Sequence, residues 1–307
     1  AIFRGIVDAI YTVDYIHERQ WNVQDYVTAS ETTYLEELYR RTLWQQGLRI
    51  LEMYDYSGRL HILARGEELP NPFVARARQG PALSKLQRER AKQYLAERLN
   101  ATRHLWYMNI GHNARQCQPV VDEKGQVLAS DTSHLTMVIF LHSFDDAQYQ
   151  FGLDGFDDLY EWTISSIDEC LANRHVGRVL IKEHPNVDPV GFPGDKHALQ
   201  RLKARYRHEP RITLVDRYTN IKAFASLGCV YGITNYGSVA EEFVAAGLPV
   251  IASAKGSWGK NYPFLRVWDS PEEYVTILRR LTPANWCASG EMEIEALDEF
   301  VLEYRLN

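Results

Sequence analysis

The chain has 307 residues, 45% hydrophobic and 24% charged, with 19 glycines and 12 prolines spread along it, a composition that excludes disordered, collagen-like and coiled-coil classes. A formal net charge of −6 argues against nucleic-acid binding by bulk electrostatics, and no apolar run approaches the roughly 20 residues needed to cross a bilayer. Cys117, Cys170, Cys229 and Cys287 lie far apart without CxxC spacing, so neither a disulfide framework nor a zinc site is expected, and a reducing cytoplasm fits.

In chain order, the first half reads irregularly. Residues 23–29 suit a strand, 32–46 a helix stopped by Gly47, and 48–54 a second strand. Residues 81–99 predict a long helix inside a basic stretch, since residues 74–103 hold eight Lys or Arg against two Glu. That stretch reads as a solvated face, or as a surface for an anionic glycan or a negatively charged membrane. Residues 100–134 are polar, carry a hairpin turn at Asp122-Glu123-Lys124-Gly125, and read as a connection between domains. The opening Ala1-Ile2-Phe3-Arg4 lacks the layout of a signal peptide. It also lacks a starting Met, and no first strand with a Gly-rich turn follows. The expectation is that residues precede Ala1 or that the first domain is reduced.

The second half alternates. Residues 135–144 read as a buried strand, and 155–173 as a helix with Phe156, Tyr160, Ile164, Ile167 and Leu171 on one face. Then come a strand at 177–182, a helix at 196–207, a strand at 211–215, a helix at 220–226 and a strand at 229–234. A helix at 239–246 stops at Gly247 before a strand at 248–253, and Ser270-Pro271 opens a helix at 271–281 with Glu272 and Glu273 in its first turn. The acidic tail, residues 288–307, holds six acids against Arg305 alone. Apolar strands alternating with helices imply a parallel sheet covered on both faces. Ligands of such sheets bind beyond the carboxyl ends of the strands, where the strand order reverses.

Candidate chemistry therefore lies at strand ends. In IKEHPN, His184 can donate to a phosphate oxygen, Pro185 stiffens the turn and Lys182 lies on the same side; alternatively His184 caps a backbone carbonyl. In TNYGSVAEEF, Ser238 and Glu241 have capping-box spacing. The same helix start can hold an anion, with the hydroxyls of Thr234 and Ser238 beside it and Gly237 permitting close approach. Glu241 or Glu242, one turn in, can accept from a ribose. In LHSFDD, Asp145 and Asp146 can act as nucleophile, base or charge stabiliser, or else open an Asx turn. Glu67 and Glu68 offer a general base for an acceptor hydroxyl, or a solvated loop. The segment GSWG at 256–259 offers an aromatic ring to a base or sugar, or is a mobile loop. No DxD lies near these motifs, so no metal is expected to be required.

IKEHPN followed by TNYGSVAEEFVAAGLPVIAS, with FLHSFDDAQYQFG ahead of a helix containing YEW, resembles bacterial capsule and lipopolysaccharide transferases that use CMP-activated sugars. The retaining Kdo (3-deoxy-manno-octulosonic acid) transferases, similar to bacterial sialyltransferases, are the nearest match. The resemblance covers residues 135–281, and the first half only loosely. It implies an α/β, GT-B-like fold of two Rossmann-type domains, the N-terminal one reduced or truncated. Residues 1–134 would form the acceptor-side domain and linker, 135–285 the nucleotide-sugar domain and 286–307 an acidic C-terminal helix.

The implied reaction moves Kdo, or a related 2-keto sugar acid, from a CMP donor to a growing bacterial surface polysaccharide. His184 with Pro185, and Ser238 with Thr234 and Asn235, would hold the CMP phosphate. Asp145 or Asp146 would form a covalent sugar adduct, and Glu67 or Glu68 would handle the acceptor proton. The partners implied are the donor and a glycan acceptor, lipid-linked if the work is done at the inner face of the inner membrane, with no cofactor and no nucleic acid. The serine motif reads YGSVAEE rather than a paired-serine form. Alternatives on the same architecture are a CDP-polyol phosphotransferase of teichoic-acid type, a nucleotide-sugar 2-epimerase and a non-catalytic glycan-binding module.

Overall fold

The computed structural model describes residues 2–20, 23–29, 42–53, 60–63, 75, 77–100, 119–122, 124–144, 154–184, 193–216 and 218–306. The chain divides into two compact units, residues 1–73 with 145–153 and residues 74–144 with 154–307.

In the smaller unit, helix α1 (Ile2–Glu18) precedes strands β1 (Asp25–Ala29), β2 (Arg49–Met53) and β3 (Leu60–Leu63). β2 lies between the other two, parallel to β1 and antiparallel to β3. Ala9 and Val13, one turn apart on α1, pack with Leu43, Leu48 and Ile50. Gly47, at φ 98°, ends a helical turn over residues 42–45, as its position predicts. α1 and β3 are not among the predicted elements, although Ala9, Val13 and Ile16 recur at spacings of four and three.

The larger unit contains α2 (Lys85–Leu99), β4 (Asp131–Phe140), α3 (Leu159–Ala172), β5 (Val176–Lys182), α4 (Pro193–Arg205) and β6 (Ile212–Val215). After a 3₁₀ segment (Ile221–Leu227) come β7 (Gly228–Ile233), α5 (Val239–Ala245), β8 (Val250–Ser253), β9 (Arg266–Trp268) and α6 (Pro271–Arg279), then α7 (Glu291–Phe300) running into a π turn (Val301–Arg305). The six strands form a parallel sheet in the order β6-β5-β4-β7-β8-β9, a Rossmann-like arrangement whose order reverses between β4 and β7. The connections leave β4 and β7 in opposite directions, which with the usual right-handed crossover puts α3 and α5 on opposite faces. α3 packs with α6, while α5 packs with α2 and α7.

The strands are buried because both faces are covered: Met137, Val138, Ile139, Val179, Leu180, Val230 and Ile233 are each fully enclosed. Phe140, Phe224 and Phe243 form a ring cluster on one face, with centroids 5.2 to 6.1 Å apart. Each such side chain contributes about 1.5–3 kcal/mol by leaving water. Helix starts are set by side chains: Asp158 accepts from the Glu161 amide at 2.7 Å, and Ser270 from the Glu273 amide at 3.2 Å with Pro271 in the first turn. The Asp158 cap explains why α3 begins later than residue 155. The turn at Asp122–Gly125 is present, with Gly125 donating to the Asp122 carbonyl oxygen at 3.0 Å and Val121 bridging Val127.

The compact units divide near residue 73, and Ala91, Tyr94 and Leu95 of α2 are buried in the larger unit's core. Leu297, Phe300 and Val301 of the C-terminal segment join the same core. Arg88 of the basic stretch pairs with Glu295 of the acidic tail. Among the described residues, no helix is long and apolar enough to cross a membrane.

Candidate functional site

The order reversal places the ends of β4 and β7 side by side, and the residues just beyond them are polar yet buried or partly buried. His142 follows β4 by two residues, and Thr234 and Asn235 follow β7 directly. His142 Nε2 accepts from the Asn235 backbone amide at 3.3 Å and lies 3.1 Å from the Thr234 hydroxyl. The Thr234 Oγ1 accepts from the Gly237 amide at 3.2 Å. Because Nε2 accepts, the network assigns the neutral, Nδ1-protonated imidazole, with the Thr234 hydroxyl donating to it. Tyr236 and Trp162 enclose the ring, with centroids at 4.5 and 6.0 Å.

Burial, and then the charge of His184, lowers the His142 pKa to about 3. His184 therefore acts at the same end of the sheet, two residues past β5. Between pH 6.5 and 3 the unfolded chain binds a proton at position 142 that the folded chain does not. His142 thus contributes stability that is complete above pH 6.5 and lost as pH falls towards 3. Wild-type protein is expected to lose about 1.4 kcal/mol per pH unit more in this window than His142→Gln does, by chemical denaturation at pH 4.5 and 7.5. Equal slopes would contradict the neutral assignment.

Gly237 is required by this network, because a Cβ there would stand 2.7 Å from Thr234 Oγ1 and 3.1 Å from His142 Cε1. Lys182 is buried at the end of β5, and burial lowers its pKa to about 8 against the opposing charges of Glu242, Asp216 and Glu183.

The structure thus brings Lys182, His184, Thr234, Asn235 and Gly237 to one edge of one sheet. Two expectations, the capping box and the reading of GSWG, are corrected there, and Glu242 gains a partner. Ser238 does not cap α5: its backbone is in the right-handed helical region, and the Ala240 and Glu241 amides bond the carbonyl oxygens of Gly237 and Ser238. Its hydroxyl instead accepts from Arg98 Nη2 at 3.0 Å. Glu242, expected to accept from a ribose, is held by the same guanidinium at 2.5 Å, and Glu241 is enclosed against Arg305 at 2.5 Å. Trp258 is neither a ligand platform nor in a mobile loop, since it is fully buried with Nε1 donating to the Ser253 carbonyl oxygen at 2.9 Å. Asp145, Asp146, Glu67, Glu68 and Pro185 lie outside the described residues.

Residues with little or no local sequence signal also gather here. His142 sits in a segment singled out only for its acids, and its strand-end position was the available signal. Asp154 accepts from Asn235 Nδ2 at 2.6 Å, marked in sequence only by the Asp-Gly turn signal at 154–155. Arg98 had no local signal at all. Two buried polar atoms at these strand ends, Ser143 Oγ and Asn235 Oδ1, have no hydrogen-bond partner among the described residues. A groove of about 380 Å³ runs along α4 and β6, lined by Lys124, Lys203, Tyr206 and Arg207 among others, and shares none of these residues.

No protein-family model matches the chain, and no curated protein matches it. Solved structures are similar at low identity. HepE from Anabaena, in complex with UDP and glucose, is 11% identical over 91% of this chain and 59% of that one, with a TM-score of 0.40. The α,α-trehalose 6-phosphate synthase of Burkholderia multivorans is 14% identical over 91% and 55%, with a TM-score of 0.37. The wall teichoic acid polymerase TagF, as its H444N variant, is 13% identical over 90% and 52%, with a TM-score of 0.34. The chain spans 59% and 60% of the length of two HepE structures it matches, the second in complex with UDP-glucose.

Proposed function

We propose that the larger unit binds a nucleotide sugar at the carboxyl ends of β4, β5 and β7, and that the chain is all or part of a GT-B-type glycosyltransferase. The observation that carries this reading is the edge where the strand order reverses. There His142, His184, Thr234 and Asn235 meet, and two buried polar atoms have no partner among the described residues. An unsatisfied buried polar group costs about 1–3 kcal/mol, which a ligand hydrogen bond would offset. His184 donates to the phosphate, and the loop from Thr234 to Gly237, braced by neutral His142, lines its approach.

The donor in this reading is CMP-Kdo or a related CMP-linked 2-keto sugar acid, and the acceptor a growing bacterial surface polysaccharide. The carboxylate of Asp145 or Asp146 attacks the anomeric carbon, and CMP departs with the bonding electrons. An acceptor hydroxyl then displaces the carboxylate while Glu67 or Glu68 takes its proton. Calorimetric titration with CMP-Kdo, CMP-sialic acid, CDP-glycerol and UDP-glucose tests this. A CMP donor is expected to bind, and His184→Ala to weaken it about 10-fold or more, the loss of one charge-assisted hydrogen bond. Binding of CDP-glycerol alone would favour a polyol phosphotransferase, and binding of none of the four would refute the reading.

A further inference from the structure

Asp154 enters the cluster from the turn that leads into α3. One carboxylate oxygen accepts from Asn235 Nδ2 at 2.6 Å, and the other from the Phe156 backbone amide at 3.3 Å. Asn235 is only 2% exposed, and its own carbonyl oxygen has no partner among the described residues, whereas Asp154 is half-buried. From this geometry we infer that Asp154 and Asn235 form a subsite for the polyhydroxyl portion of the donor, its sugar ring, and not for its phosphate. The inference rests on the nucleotide-sugar reading above and deepens it.

The chemistry of the open positions decides the ligand class. A carboxylate has about four lone-pair sites, and among the described residues Asn235, Phe156 and the backbone amide of Asp154 itself take three. The open atom of Asn235 is likewise an acceptor. Acceptors side by side need donors, and the hydroxyls of a sugar supply them. A phosphate or a sugar carboxylate at neutral pH offers only acceptors and negative charge, so neither would face Asp154. Burial raises the Asp154 pKa, with the Asn235 amide, the Phe156 amide, its own backbone amide and the charge of Lys255 working against it. Hydroxyl donors would add to that second group. The hydrogen bonds to Asn235 and Phe156 also suit a purely structural role for Asp154, so the test must separate the two.

Wild-type protein and Asp154→Asn are titrated with CMP-Kdo and CMP, and with UDP-glucose and UDP. A hydroxyl subsite predicts that Asp154→Asn weakens the bound sugar nucleotide about 10-fold or more while the matching free nucleotide changes less than about 2-fold. A structural role moves both alike, and either that result or no change in either overturns the inference while leaving the nucleotide site standing. Failure of wild-type protein to bind any of the four removes the underlying reading, and the inference with it. If Asp154→Asn does not melt cooperatively, Asp154→Ser is used for the same comparison.

Discussion

Arg98→Ala is expected to destabilise the larger unit by about 3 kcal/mol, read as a fall in the denaturation midpoint at constant slope. The Arg98 side chain is 3% exposed, and its guanidinium holds Glu242 at 2.5 and 3.0 Å, Ser238 Oγ at 3.0 Å and the Tyr94 hydroxyl at 3.3 Å. Removing it leaves Glu242, 18% exposed, without that partner, and breaking a buried pair from one side costs about 3–5 kcal/mol. Lys182, whose pKa Glu242 raises, offsets part of the loss and sets the lower end of the range. Replacing the pair together, as Arg98→Met with Glu242→Leu, is expected to recover at least half of it, because no charge is then left uncompensated. A loss below about 1 kcal/mol for Arg98→Ala would mean the pair is screened by solvent, as surface pairs are.

Trp258→Ala is expected to cost about 3–5 kcal/mol, the range for emptying a large aromatic site in a packed core. The ring is fully buried, lies edge-on to Phe264 at 6.1 Å and donates to the Ser253 carbonyl oxygen. Its removal therefore opens a cavity and leaves an acceptor unpaired. Gly256 faces the same ring: a Cβ there would lie 2.3 Å from Trp258 Cζ2, so Gly256→Ala must displace the indole and share part of the loss. Thermal melting of the two variants checks this. A Trp258→Ala protein that melts within a degree or two of wild type would place the ring outside the core after all.

The two expectations rest on different kinds of legibility. Trp258 could be located in the chain as following a strand end, but local sequence does not say whether such a ring turns inward or out to a ligand. That depends on Phe264, six positions on in the fold's next segment, and on the bare glycine that makes room for it. Arg98 was read as one charge on a solvated basic helix. Its partners Ser238 and Glu242 lie 140 and 144 residues away, beyond any local pattern. The same distance explains the failed capping box: Ser238 and Glu241 have the right spacing, but Arg98 and Arg305 hold both side chains more strongly than a helix-end amide does.

What the amino-acid order determined by itself was the periodic part of the larger unit. Apolar runs separated by amphipathic segments leave a strand no stable place except between helical layers, so the parallel sheet, its strand ends and the placement of His184 and Thr234 along them follow from local pattern. Tertiary structure alone decided which strand ends adjoin. Strand order depends on the direction each crossover takes, and it is the reversal between β4 and β7 that puts His142 against Thr234 and Asn235. It also decided which polar groups are engaged with arginines and which remain open to a ligand, because burial and pairing are set by residues far apart in the chain.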